Sequence, residues 1–124
     1  MQLKFKNGLI KINPYNHSET AKIAIKSSSF KAKLSTWGEE IYFKTPFKGV
    51  KLDDKATDLI NLGEIAYWVE GNSIAIGFGP TPASKSNEIR LISPTNIWAS
   101  FDPNPKNLDI LRGVNDNDII DFLN

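Results

Sequence analysis

Apolar and polar residues alternate with a period of two over most of this chain, and turn signals interrupt the alternation at close intervals. Leu3 and Phe5 alternate with Lys4 and Lys6, and Leu9 to Ile12 follows after Asn7-Gly8. A strand over residues 2–6, a type I′ turn at Asn7-Gly8 and a second strand over 9–12 make the first predicted hairpin, because that pair tolerates positive φ. Pro14 ends the second strand. Phe30, Ala32 and Leu34 alternate with Lys31 and Lys33, which predicts strands over 30–36 and 39–44 joined at Trp37-Gly38 and stopped at Thr45-Pro46. A further hairpin has arms Glu64 to Val69 and Ser73 to Phe78 around Glu70-Gly71-Asn72. On its second arm Ile74, Ile76 and Phe78 face one way. Ala75, Gly77 and Gly79 face the other, where small side chains leave room for a close neighbour or a ligand. Strands over 89–93 and 95–101 flank Pro94, which implies an edge or a bulge. Residues 118–123 form a last strand.

Two segments break the two-residue period. Residues 18–28 read as a helix: Asn16 and Glu19 have capping-box spacing, Lys22 and Lys26 stack one turn apart, and Ala21, Ala24 and Ile25 share a face. Lys22 to Lys26 also alternates like a strand, and Ser27 to Ser29 end the element either way. Residues 106–112 read as a short helix closed by Gly113, after a turn at 102–105. Residues 48–63 look like loop with one helical turn at 55–61, and 80–87 like a Pro- and Ser-bearing loop. Many short strands with one or two short helices predict a mainly β fold, a closed barrel or sandwich. No repeat or linker divides residues 1–124, so a single domain is expected.

With 40% hydrophobic and 23% charged residues, 124 residues suffice to bury a core. The chain has no cysteine and one histidine, which excludes disulfides, thiolate chemistry and His-based metal clusters. No window reaches the roughly 18 apolar residues of a membrane span, and no signal peptide opens the sequence, so a cytoplasmic location away from membranes is expected. The net charge of +1 hides a split: residues 1–52 carry ten Lys against three acids, and residues 53–124 five bases against eleven. The lysines alternate with core positions, as on the wet face of strands. Arg, the better phosphate ligand, occurs only at Arg90 and Arg112. Nucleic-acid binding is therefore not expected.

No phosphate-binding glycine loop, zinc-helix motif or serine elbow is present. His17 lacks catalytic partners and reads as a surface residue near a helix start. Asp53-Asp54 and Asp116-Asn117-Asp118 lack the spacing of a calcium loop. No metal or cofactor is expected. Glu39-Glu40 carries more information. If Ile41 and Phe43 point inward, Glu39 shares their side and Glu40 shares that of Tyr42, which places one carboxylate in or at the mouth of the barrel. If the strand starts at 40 or 41, both are rim residues. A buried carboxyl with a partner or a raised pKa would mark a functional site. Trp37, Tyr42, Phe43 and Phe47, then Tyr67, Trp68 and Phe78, supply aromatic rings for either a core or a pocket wall.

Thr36-Trp37-Gly38-Glu39-Glu40-Ile41-Tyr42-Phe43, Thr45-Pro46, Gly63-Glu64-Ile65-Ala66-Tyr67-Trp68 and Phe78-Gly79-Pro80-Thr81-Pro82, in that order, resemble the small cyclophilin-like barrel proteins of archaea and thermophilic bacteria, a domain family of unknown function. The resemblance implies a closed cyclophilin-type barrel with a helix over one opening. It does not carry over the isomerase machinery of true cyclophilins, because their Phe-His-Arg run is missing here.

The resulting expectation is a barrel that binds a small molecule or short peptide, with no demonstrated catalysis, and whether it is an enzyme stays open. Its pocket is expected where the strand after Trp37 meets the 64–78 hairpin, with Trp37, Tyr67 and Phe78 as walls and Glu39, Tyr42 and Thr81 as polar contacts. The rival reading is a divergent peptidyl-prolyl isomerase in which Arg90 stabilises the twisted amide. A purely structural partner protein would need an exposed apolar patch. Oligomeric state and ligand identity stay open at this stage.

Overall fold

The computed structural model describes residues 1–124. Ten strands and two helices follow one another as β1 (Gln2–Phe5), β2 (Gly8–Pro14), α1 (Glu19–Lys26), β3 (Phe30–Lys33), β4 (Ser35–Thr36), β5 (Glu40–Lys44), β6 (Thr57–Ile60), β7 (Glu64–Trp68), β8 (Ser73–Gly77), β9 (Ile89–Phe101), α2 (Pro105–Arg112) and β10 (Ile119–Leu123). The strands pair antiparallel in the order β3-β10-β1-β2-β9-β7-β8-β5-β4, with β6 on β9 outside that path. The two ends of the order, β3 and β4, are consecutive in sequence and meet at Leu34, so the sheet forms a nearly closed barrel. Leu34 is 1% exposed and is a member of the core, so its side chain anchors this junction.

Alternation explains what fills the barrel. Leu3, Phe5, Ile10, Ile12, Ile41, Phe43, Ile74, Ile76 and Phe122 all point inward and form one core with Trp98 and Phe101. Helix α1 covers it with Thr20, Ala21 and Ala24. Ile25, expected on that face, is exposed, because the buried stripe runs through Thr20, Ala21 and Ala24 and Ile25 lies about 100° round the helix from Ala24, beyond its edge. The helix starts at Ser18 rather than Asn16: the Ser18 hydroxyl accepts from the Ala21 N–H at 3.1 Å. Its far end is tied down by the chain terminus, where Asn124 Nδ2 donates to the carbonyls of Ile25 and Ser27 at 2.7 and 2.6 Å.

The first hairpin forms as expected, but its turn lies one residue earlier, at Lys6-Asn7, since Gly8 already pairs with Phe5. Gly8 serves packing. A Cβ there would lie 2.5 Å from Ile110 Cδ1 of α2. The helical turn expected at 55–61 is instead strand β6. Thr57, Leu59 and Ile60 find partners on β9, and this long-range pairing outweighs the local signal. The two strands expected around Pro94 are one bent strand, β9, which makes two departures from regular pairing. Against β7, Ile65 and Ala66 face Ala99 and Ile97, so Trp98 is extra. Against β6, Thr57 and Leu59 face Thr95 and Arg90, so residues 91–94 bulge. Bulges bend and twist a strand. Here they fold the first half of β9, with β6, over the outer face of β7 and β8, where Ile60, Ile89 and Leu91 pack on Ala66 and Ala75 as a second, smaller core.

Candidate functional site

Between this ribbon and the barrel wall lies a cavity of about 170 Å³. β5 supplies Glu40 and Tyr42 to its lining, β7 supplies Trp68, β8 Ala75, and the bulged part of β9 Leu91, Ile92 and Thr95; Trp37 closes it from the turn before β5. The small residues of β8 explain the space. Ala75 stands opposite Tyr42 and Gly77 opposite Glu40. A Cβ on Gly77 would come within 2.4 Å of Ile89 Cγ2, so the ribbon approaches as closely as a glycine permits.

The aromatic walls are held from behind. The Trp68 indole lies across Gly71, whose missing Cβ would sit 2.1 Å from Trp68 Cε3. Tyr42 and Trp68 meet edge to face, with ring centres 6.4 Å apart and planes at 89°. Trp68 Nε1 is buried with no hydrogen-bond acceptor.

Glu40 is the one acidic group in the lining. It is 6% exposed, and its buried Oε1 receives no hydrogen bond. No Lys or Arg forms an ion pair with it. Burial alone pushes its carboxyl up to about 7. An orphaned acceptor of this kind is rare in folded proteins and costs stability unless something pairs with it.

The residues singled out in the sequence divide between this cavity and the rest of the barrel. Trp37 and Tyr42 line the cavity. Tyr67 is 1% exposed in the main core, stacked on Phe47, with its hydroxyl paired to Thr45 and Asn72. Its phenol pKa is raised by that burial. Phe78 also belongs to the main core. Thr81 is buried in the loop before β9, where its hydroxyl pairs with Ser84 and the Arg90 carbonyl. Glu39 is exposed in the bend just before β5: its N–H donates to Pro80 O and its carbonyl accepts from Phe78 N–H, an irregular continuation of the β5–β8 pairing that leaves its side chain at the rim rather than inside the barrel. Its carboxylate lies over Gly79. The buried acid is its neighbour Glu40, in phase with Tyr42. Trp68, one of the rings offered for a core or a pocket wall, lines the cavity, whereas Leu91, Ile92 and Thr95 were not among the expected contacts, although Pro94 signalled the bulge that brings them into place.

Arg90, central to the isomerase reading, is engaged elsewhere. Its guanidinium donates to Glu88 Oε1 at 2.8 Å and Asp58 Oδ2 at 2.9 Å, and it holds the Glu88 carboxyl below its usual range. His17 stacks on Tyr15 at 5.6 Å beside a separate hollow with Glu19, Asp53 and Asp54. Burial, then the neighbouring Asp54 and Glu19 charges, raise the Asp53 pKa there. No helix is long and apolar enough to cross a membrane.

Comparison with known proteins agrees with the architecture. No curated protein matches the sequence. The solution structure of the hypothetical protein AF2241 from Archaeoglobus fulgidus superposes with a TM-score of 0.77 at 27% identity, over 97% of this chain and 89% of that one. The family model described as Cyclophilin-like matches residues 1–118. A nearly closed barrel with two helices, matched to that model over almost its whole length, places this chain in the cyclophilin-like family.

Proposed function

We propose that this protein is a cytoplasmic, single-barrel binding protein that takes a small molecule or a short peptide segment in the cavity walled by Trp37, Tyr42 and Trp68. The observation that carries the reading is Glu40: a carboxyl 6% exposed, with an oxygen that no protein group satisfies, in the wall of an apolar cavity. Ligand sites are typically apolar clefts with a few convergent polar groups, and perturbed acids concentrate in them. A volume of about 170 Å³ is below the range of drug-sized sites and suits a small molecule or one side chain of a peptide.

The engagement of Arg90 by two carboxylates favours binding over isomerisation, because that guanidinium is not free to address a substrate amide. Amide resonances followed by NMR while a library of small polar-aromatic and aliphatic fragments is added test the proposal. Shifts centred on residues 37–42, 68 and 91–95 are expected. Shifts confined to the Tyr15–Asp53 hollow, or none at all, would refute it. Exchange spectroscopy on X–Pro peptides decides the rival, since uncatalysed exchange takes on the order of tens of seconds. Acceleration that disappears in Arg90→Ala would make the protein an isomerase.

A further inference from the structure

The cavity described above has a charge signature that narrows its ligand, and the inference rests on that cavity being the binding site. Its lining holds one acid and no base. Besides Glu40, the one titratable group in the lining is Tyr42, on the same strand. β7, β8 and β9 contribute Trp68, Ala75, Leu91, Ile92 and Thr95, none of which titrates. Lys44, two positions beyond Tyr42, lines a different groove with Phe30 and Lys33. Arg90 is occupied by Glu88 and Asp58. The protein thus buries a carboxyl, surrounds it with three large aromatic rings and supplies no cation.

We propose that the cavity receives an organic cation bearing N–H donors, an alkylammonium or guanidinium group, whose charge pairs with Glu40 and whose hydrocarbon stem lies among Trp37, Tyr42 and Trp68. Three features of the site support this chemistry. The orphaned Oε1 calls for a donor, and a charged donor to a carboxylate makes roughly twice the bond of a neutral one. Aromatic faces attract cations that have left water, most strongly Trp. The volume of about 170 Å³ suits the end of one such chain and excludes a nucleotide or a folded peptide. The same chemistry has two sources, a free amine or the lysine or arginine side chain of a peptide.

The test uses the intact protein and n-butylammonium, followed by NMR and Trp fluorescence at constant ionic strength. Saturable binding is expected, with n-butanol and n-butyrate at least about tenfold weaker and tetramethylammonium weaker too, for lack of N–H groups. Glu40→Gln is expected to lose at least about tenfold in affinity for n-butylammonium and to keep its affinity for n-butanol. Thermal melting shows that the variant is folded. Because the cation binds the ionised acid, affinity is expected to fall about tenfold per pH unit below about 7, and binding at pH 6 to release a proton from Glu40. An Nα-acetyl-lysine amide distinguishes the sources: it binds at least as well as n-butylammonium if the ligand is a peptide, and is excluded if the ligand is a free amine. Equal binding of n-butanol and n-butylammonium, or binding unaffected by Glu40→Gln, would overturn the cation inference and leave the cavity a binding site. Failure of every compound to bind would remove both.

Discussion

Replacing Glu40 by Gln provides a stability test that needs no ligand. Burial raises the Glu40 carboxyl from 4.5 to about 7. The folded protein therefore holds a proton that the unfolded chain releases between those values. Stability falls with pH wherever the native state binds more protons than the unfolded one. For this group the penalty is absent below about pH 4.5, grows through the interval and is complete above about 7. At about 1.4 kcal/mol for each pH unit between the two pKa values, it amounts to about 3 kcal/mol, a large share of the stability of a small domain. Gln fills nearly the same volume and cannot ionise, so whatever its buried amide costs is the same at every pH. Urea unfolding of the parent and Glu40→Gln at pH 5 and pH 8 should show the difference between them moving by about 2–3 kcal/mol in favour of the variant at the higher pH, or by about 10 °C in melting temperature. Other titrating groups cancel in that difference because both proteins share them. A difference that stays constant between pH 5 and 8 would mean that the Glu40 carboxyl is solvated or paired in solution, and the reasoning about the cavity would fail with it.

Two neighbouring glycines should differ in their tolerance of a methyl group. Gly77→Ala puts a methyl against Ile89 Cγ2 and Ile60 Cδ1 under the β6–β9 ribbon and should cost about 1–3 kcal/mol in urea unfolding, whereas Gly79→Ala meets only the far end of the exposed Glu39 side chain, which can turn aside, and should stay within about 0.5 kcal/mol. Ser18→Ala removes the acceptor for the Ala21 N–H at the start of α1 and should cost about 1 kcal/mol by the same measurement. Leu3→Ala, at a fully buried position in the main core, should cost about 2–5 kcal/mol, and a much smaller value would show that the barrel collapses around the deletion.

The barrel was legible in the sequence because its evidence is local. The alternation at Leu3 to Lys6 and at Ile74 to Phe78, the turn around Asn7, and the stops at Pro14 and Pro46 each constrain a few adjacent residues, and these constraints agree with one another. Even the crowding at Ala75 and Gly77 was readable as room for a neighbour. The phase of β5 was readable too: Ile41 and Phe43 on one side, Glu40 and Tyr42 on the other. Which of those sides carries the cavity was not. Alternation distinguishes an inner from an outer face only when the outer one meets water, and here the outer face of β5, β7 and β8 is covered by β6 and the first half of β9. That cover depends on pairings between residues some 30 to 40 positions apart, such as Thr57 with Thr95, and on the bulges at Trp98 and around Pro94 that bend one strand across two layers. The sequence by itself determined most of the barrel strands, the alternation along them and the family, while β6 and the continuity of β9 across Pro94 came from long-range pairing. Tertiary structure decided that Glu40 rather than Glu39 is the buried acid, because burial is set by what the rest of the chain lays over a residue, and no local pattern encodes it.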